Sequence, residues 1–534
     1  MPLYNGSNTA PGMYGGEEDN SFSPTQRYPS TGAMVGEANR GQVGIPVRLT
    51  SKEEWRSLFG RRDATLTYAH FCAERFLEIA QTMWFIRVDT EANYGSCSIR
   101  TVNGFATGKA ATNGYLDPVT EHNQLPDEIL LIYGANPGSW NNNLRVLLYP
   151  DTNDIENELF ILQVFETNMN APVETHRVVL RDKVNGVNKQ LNVEYVLENE
   201  STRIRAKINV DNPQWIANEG KLRLVNAIVT QDLSYGDNGR KANNGDIMNA
   251  WEEFSNEDDF EIRILINAGY TDTGVQNRML QLCEERRDCF AILDIPSDMQ
   301  TVARAVDYRR NILNANTSFG AIYCSDILEV TDEGQEIYVP CSGAIAAVFA
   351  QSDAAEAEWW APAGVTRGVI KNINGIRHKY SQNERNILDQ NQINFIHKFS
   401  GYGFCVWGAQ TLQAQKSALQ DIPVRRLINT IETTAKYDGL VILFDPNDEF
   451  LWGQLKGLIE AILRPIMNAR GLYFYAVKCD KDTNPPAQVA NGDIAAVYII
   501  QPMRYAKRIL FTTTVAATGQ LSTAVDYVTA DTNI

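Results

Sequence analysis

Cysteine and histidine are scarce in this chain: eight and five among 534 residues. Cysteines 72, 97, 283, 289, 324, 341, 405 and 479 are too sparse for a disulfide scaffold and contain no Cys-x2-Cys pair. No cysteine lies near a histidine in sequence, and the six-residue step between Cys283 and Cys289 is not a zinc-ligand spacing. Buried, reduced thiols are therefore expected. Long apolar runs are also missing. The best, Gly439–Phe444 and Ile494–Ile500, are strand-sized, far short of the roughly 20 residues of a spanning helix. The first basic residue is Arg27, so no secretory leader and no membrane insertion are expected. Cations are outnumbered, with 48 Lys+Arg against 65 Asp+Glu and a net charge of −17, which disfavours direct nucleic-acid contact.

The search for catalytic residues returns little. Between Arg177 and Arg377 there is no histidine, and no Gly-x-Ser-x-Gly elbow occurs anywhere, so a Ser-His-Asp site lacks its parts. Gly108-Lys109 and Gly220-Lys221 are not followed by Ser or Thr, which excludes a phosphate-binding loop. Gly401-Tyr-Gly403 lacks the third glycine of a dinucleotide site. Asp272, Asp294, Asp298 and Asp326 fall near strand ends, where a metal-dependent phosphohydrolase would place its carboxylates. Helix capping and solvated loops are the plainer use of all four. The pairs Arg61-Arg62, Arg286-Arg287, Arg309-Arg310 and Arg425-Arg426 read as solvated helix faces or as interfacial ion pairs. Catalytic, cofactor and metal residues are all expected to be absent, and the chain is not expected to be an enzyme.

What is present is organisation. Residues 1–27 are rich in Gly, Pro, Ser and Asn and read as an extended arm. Residues 28–132 and 228–375 alternate helical and strand patterns, predicting a discontinuous α/β core with a parallel sheet covered on both faces. Ser51-Lys-Glu-Glu54 predicts a capped helix closed by Gly60, and strands are expected at Cys289–Ile295 and Phe319–Cys324. Residues 133–227 show short alternating segments separated by Asn, Gly and Pro, predicting an inserted β-rich domain. Residues 376–508 predict an α+β C-terminal domain, with a strand at Leu440–Phe444 and a long amphipathic helix over 447–469. Residues 509–534 form a second arm without Lys or Arg; a 25-residue arm reaches roughly 80 Å when extended. Such arms add as strands to a neighbour's sheet edge.

Several motifs follow one another in order: Pro11-Gly-Met-Tyr14, Val35–Gly41, Ser51–Gly60, Asn136–Asn143, Cys289–Pro296 and Trp359–Gly368. In the C-terminal domain follow Ile393–Ile396, Gly401–Leu412, Val424–Leu427, Phe444–Asn447 and Cys479-Asp480. This ordered series resembles that of the contractile tail sheath proteins of bacteriophages. Gln410 stands where the family often has Arg. The resemblance implies a subtilisin-like, non-catalytic α/β core, an outward β insert and an inward tail domain against a tube. It implies a six-fold helical homopolymer, with tail tube, baseplate and tail terminator proteins as further partners. The subunit would belong to a virion tail assembled in the host bacterial cytoplasm. Intersubunit contacts are expected from Pro11, Gly12, Met13, Tyr14, Ile509, Phe511, Val515, Val525 and Tyr527, and tube contacts from Lys456 and Arg464. A sheath from a related non-phage injection machine fits the same motifs.

Overall fold

The computed structural model describes residues 30–62, 68–102, 105–122, 126–153, 159–167, 169–180, 191–209 and 229–509. At its centre lies a nine-stranded sheet. Its spatial order is Val369–Ile370, Gly403–Trp407, Ile393–Phe399, Gly320–Cys324, Phe290–Asp294, Ile264–Ile266, Gly32–Gly36, Met83–Arg87 and Val47–Leu49. The inner pairs run parallel, and antiparallel strands close both edges. Because side chains alternate across a strand, the inner strands feed two cores. Met34, Ile264, Ile266, Phe290 and Ile292 face helices Ala69–Leu77 and Ser342–Ala355. Ala33, Val35, Leu265, Ala291 and Leu293 face Asn244–Glu252 and Thr273–Arg286. Burial on both sides explains the unbroken apolar texture of these strands.

Helix Lys52–Phe59 starts at Ser51, whose hydroxyl accepts from the Glu54 backbone N–H at 3.1 Å. The Glu54 carboxylate accepts instead from Thr50 N–H at 2.7 Å, one residue earlier than a strict capping box. Helix Ala69–Leu77 crosses Ser342–Ala355 so closely that a Cβ on Gly343 would sit 2.4 Å from Cys72 Cα. Glycine is required there by contact.

The sheets divide the chain differently from the boundaries read in the sequence. Strands Ser96–Val102, Phe105–Ala110 and Glu128–Gly134 join Ile204–Ile208 in a four-stranded sheet. A second, Val229–Asp232, Leu144–Pro150, Leu159–Glu166 and Glu174–Val179, shares its core. The β unit therefore begins near residue 93, not 133. Its two connections to the centre are paired with each other, by the bridges Thr90–Arg240, Asn93–Asp237 and Ser96–Ser234. At the other end, Ile393–Phe399 and Gly403–Trp407 complete the central sheet, so the separate C-terminal unit starts near Ile422 rather than 376. That unit packs helices Ile422–Gly439 and Glu449–Asn468 on a two-stranded sheet, Leu472–Lys478 with Val497–Pro502.

Leu440–Phe444 forms no strand. Leu440–Ile442 is a 3-10 turn between the two long helices. Helix Val302–Asp307 continues as a π-helical segment, Tyr308–Leu313.

Candidate assembly surfaces

Three of the four carboxylates that suggested a metal site, Asp294, Asp326 and Asp272, are committed to structural hydrogen bonds. Asp294 accepts the backbone N–H of Ser342 at 2.8 Å and of Gly269 at 3.0 Å, capping the helix that starts at Ser342. Burial pushes its carboxyl up to about 6. Asp326 takes the Ser297 hydroxyl at 2.7 Å and Arg377 at 3.0 Å, besides Gln300. Asp272 caps Thr273–Arg286 through Gly274 N–H. Asp298 lies in a short 3-10 turn. Among the described residues no group of three or more His, Cys, Asp or Glu is placed to hold a metal ion, and no helix is long and apolar enough to cross a membrane.

The arginine pairs are not solvated faces: at least one member of each is drawn inward, and at Arg425-Arg426 both are. Arg62 meets Glu74 at 2.9 Å and Glu329 at 3.3 Å. Arg286 engages Asp288 and the carbonyls of Phe254, Asn256 and Phe260. Arg309 donates to the Leu412 carbonyl at 2.6 Å. Arg426 forks onto Asp353 at 2.5 and 2.8 Å, fully buried. Planar guanidinium suits these bidentate and multi-carbonyl sites, where lysine would satisfy one partner at a time.

Arg426 also belongs to the seam between the C-terminal unit and the centre. There Thr430 donates to Glu358, Trp359 Nε1 donates to the Ala469 carbonyl at 3.2 Å, and Arg367 and Arg470 flank the Trp360 ring. The Trp359–Gly364 motif thus works as an intrachain joint. Gly401–Leu412 does comparable work in the sheet. The Asn394 side chain spans to the Gln410 backbone N–H and carbonyl, and a Cβ on Gly408 (φ +137°) would meet Asn394 Oδ1 at 2.6 Å. Gln410 is itself buried and donates to Asp389.

Of the residues expected to make contacts, Lys456 and Arg464 are exposed on helix Glu449–Asn468, in an i, i+4, i+8 row with Glu460. Lys456 stands 3.9 Å from Glu460. The opposite side, with Trp452, Ile459, Leu463 and Ile466, is buried. Ile509 is exposed. Pro11, Gly12, Met13, Tyr14, Phe511, Val515, Val525 and Tyr527 lie outside the described residues.

The structure adds two surfaces that sequence pattern missed. Among the described residues the two-stranded sheet has no further strand on either edge, and it turns Phe474, Val497 and Ile499 away from its helix. At the turn between the long helices, Leu440, Val441, Leu443 and Phe444 are exposed, with Phe450 beside them. Phe444 has φ +72°, a left-handed conformation rare for an aromatic residue. Apolar composition alone reads the same for a buried strand and an exposed turn; the flanking Gly439 and Asp445-Pro446 were the signal for a turn.

A central sheet and a C-terminal unit joined by a buried seam, with apolar strand and turn residues exposed, have the features of an assembly part. Residues 240–412 match the family described as the phage tail sheath protein central domain. That stretch places the middle of the chain with the phage tail sheath proteins in sequence. The chain is 27% identical over 297 residues to the tail sheath protein of Enterobacteria phage T4, covering 52% of this chain and 45% of that one. Identity to the tail sheath protein of Vibrio phage KVP40 is 33% over 204 residues, 38% of this chain and 30% of the relative. The matched stretches thus span less than half of these relatives. In fold, the chain is similar to the sheath tail protein from Desulfitobacterium hafniense, with TM-score 0.56 and 11% identity over 92% of this chain and 100% of that one. The anti-feeding prophage helical sheath in its contracted state gives TM-score 0.55 and 14% identity, covering 95% and 99%.

Proposed function

We propose that this chain is the sheath subunit of a contractile phage tail. It polymerises helically around a tail tube in a metastable extended state, then contracts to drive the tube through the host envelope. The observation that carries this is the sheath central-domain match over 240–412, the stretch that builds most of the central sheet. The parallel sheet with helices on both faces supports the subtilisin-like description of the core. The structural commitment of Asp272, Asp294 and Asp326 supports a non-enzymatic role. No nucleotide is needed if the extended lattice is trapped behind a barrier above a lower contracted one.

In this reading the subunits form a six-fold homopolymer whose ends meet baseplate and terminator proteins. Head-to-tail contacts that do not close on themselves generate such a helix. The arms at 1–27 and 509–534 tether neighbours by strand addition, and the edges of Leu472–Lys478 and Val497–Pro502, which meet no further strand among the described residues, support a receiving site. Electron microscopy of the purified chain tests the class: striated tubes of two lengths are expected, and closed rings or monomers under all conditions would overturn it. Deleting residues 1–20 or 516–534 should abolish tubes while the monomer melts as before. Normal tubes from either truncation would sink the tether. Reversing charge at Lys456 and Arg464 together should weaken co-sedimentation with tube protein at least tenfold; unchanged co-sedimentation removes that helix from the tube interface.

A further inference from the structure

Cys289 Sγ lies 3.4 Å from Cys283 Sγ, and both thiols are completely buried. Among the described residues, which include all eight cysteines, this is the one sulfur–sulfur contact. The helix Thr273–Arg286 makes it possible. Arg287 adopts φ +62° and donates its N–H to the Cys283 carbonyl at 2.9 Å, so the chain reverses at once and Cys289 returns beside Cys283. Cys341, by contrast, faces Asp294, and Cys479 faces the Ala495 carbonyl and Asn484.

We propose that Cys283 and Cys289 are a modification site, forming a disulfide on exposure to a peroxide. Covalent bonding needs the sulfurs to close to roughly 2.05 Å, within reach of side-chain rotation and a small shift of the Arg287 turn. Burial pushes the Cys283 thiol well above its ordinary range, and the Arg286 guanidinium, anchored by Asp288 and the carbonyls of Phe254, Asn256 and Phe260, opposes that only in part, so oxidation is slow and rests on the contact between the two sulfurs. One thiolate attacks a peroxide oxygen; the O–O bond breaks, leaving a sulfenic acid and a hydroxide that takes up the thiol proton as water. The second thiolate then attacks the sulfenic sulfur. The S–O bond breaks and a second water leaves with the second proton. Two thiols have supplied two electrons, and hydrogen peroxide has become two waters. The pair stays reduced in a thiol-rich cytoplasm and becomes oxidisable outside it. The bond ties the end of a helix to the residue preceding the central strand Phe290–Asp294.

The test uses the purified full chain, treated with limiting hydrogen peroxide, alkylated, denatured and digested with trypsin. Cleavage after Arg286 separates the two cysteines, so the disulfide appears as a linked peptide pair, about 2 Da lighter than its free components. Two of the eight thiols should be lost, and Cys283→Ser and Cys289→Ala should each yield no linked pair. Absence of the linked pair in the wild-type chain, or loss of other thiols before these two, overturns the proposal. The wild-type reading stands even if a variant fails to fold.

Discussion

Glu74 shows how single side chains hold the centre together. It is completely buried yet ionised, with Arg56 at 2.7 Å, Arg62 at 2.9 Å and Lys52 at 3.4 Å. Burial alone would raise its carboxyl, but the hydrogen-bonded Arg56 and the other two cations hold it below the usual range. Asp294 has the opposite balance, with burial pushing it up to about 6. The two therefore impose opposite pH dependences. Stability from Glu74 is present above its unfolded value and lost as pH falls through the lowered one. The folded chain retains the Asp294 proton where the unfolded chain has released it, so stability falls as pH rises from about 4 to about 6. Glu74→Gln should cost about 3 kcal/mol in denaturant unfolding near neutral pH, because it leaves three crowded, part-buried cations around a neutral group. Asp294→Asn should flatten the pH 4–6 slope of the same measurement. An unchanged slope would mean that Asp294 titrates normally. Neither role was legible in the sequence, since both depend on partners brought from distant segments.

At the scale of elements, alternation carried most of the reading. Strands Phe290–Asp294 and Gly320–Cys324 and helix Lys52–Phe59 fall where their apolar pattern and the Ser51 cap place them. Pattern fails where two environments ask for the same composition. Ser96–Ala110 is poor in large apolar residues and pairs at a distance, so it was read as part of the centre. Ile393–Trp407 looks like any hairpin; only the partner strand Gly320–Cys324 assigns it to the central sheet. The Leu440–Phe444 turn yields a direct test. Phe444 pays backbone strain of about 1 kcal/mol at positive φ and touches little of its own chain. Phe444→Gly should therefore leave the thermal midpoint of the monomer unchanged or raised by a degree or two in calorimetry. A clear drop would show that the ring packs within the chain.

The whole molecule combines a rigid centre with peripheral units attached in different ways. The C-terminal unit is fastened to the centre by a buried ion pair, tryptophan contacts and a shared helix. That suits a subunit whose proposed work is done by sliding against copies of itself, with deformation confined to its arms. The β unit is attached otherwise. Its outgoing and returning chains are hydrogen-bonded to each other, Asn93 with Asp237 in both directions at 2.9 and 3.2 Å and Arg240 N–H to the Thr90 carbonyl at 2.8 Å. In effect the unit is a cassette closed by a zipper at its neck. Beyond those two adjacent strand ends, the centre reaches the unit through Arg87, which donates to the Pro137 carbonyl at 3.0 Å. Changes to the lobe beyond the neck and that contact should therefore leave the sheet's register untouched, so that evolution or an engineer can exchange its far strands without renegotiating the fold that carries it.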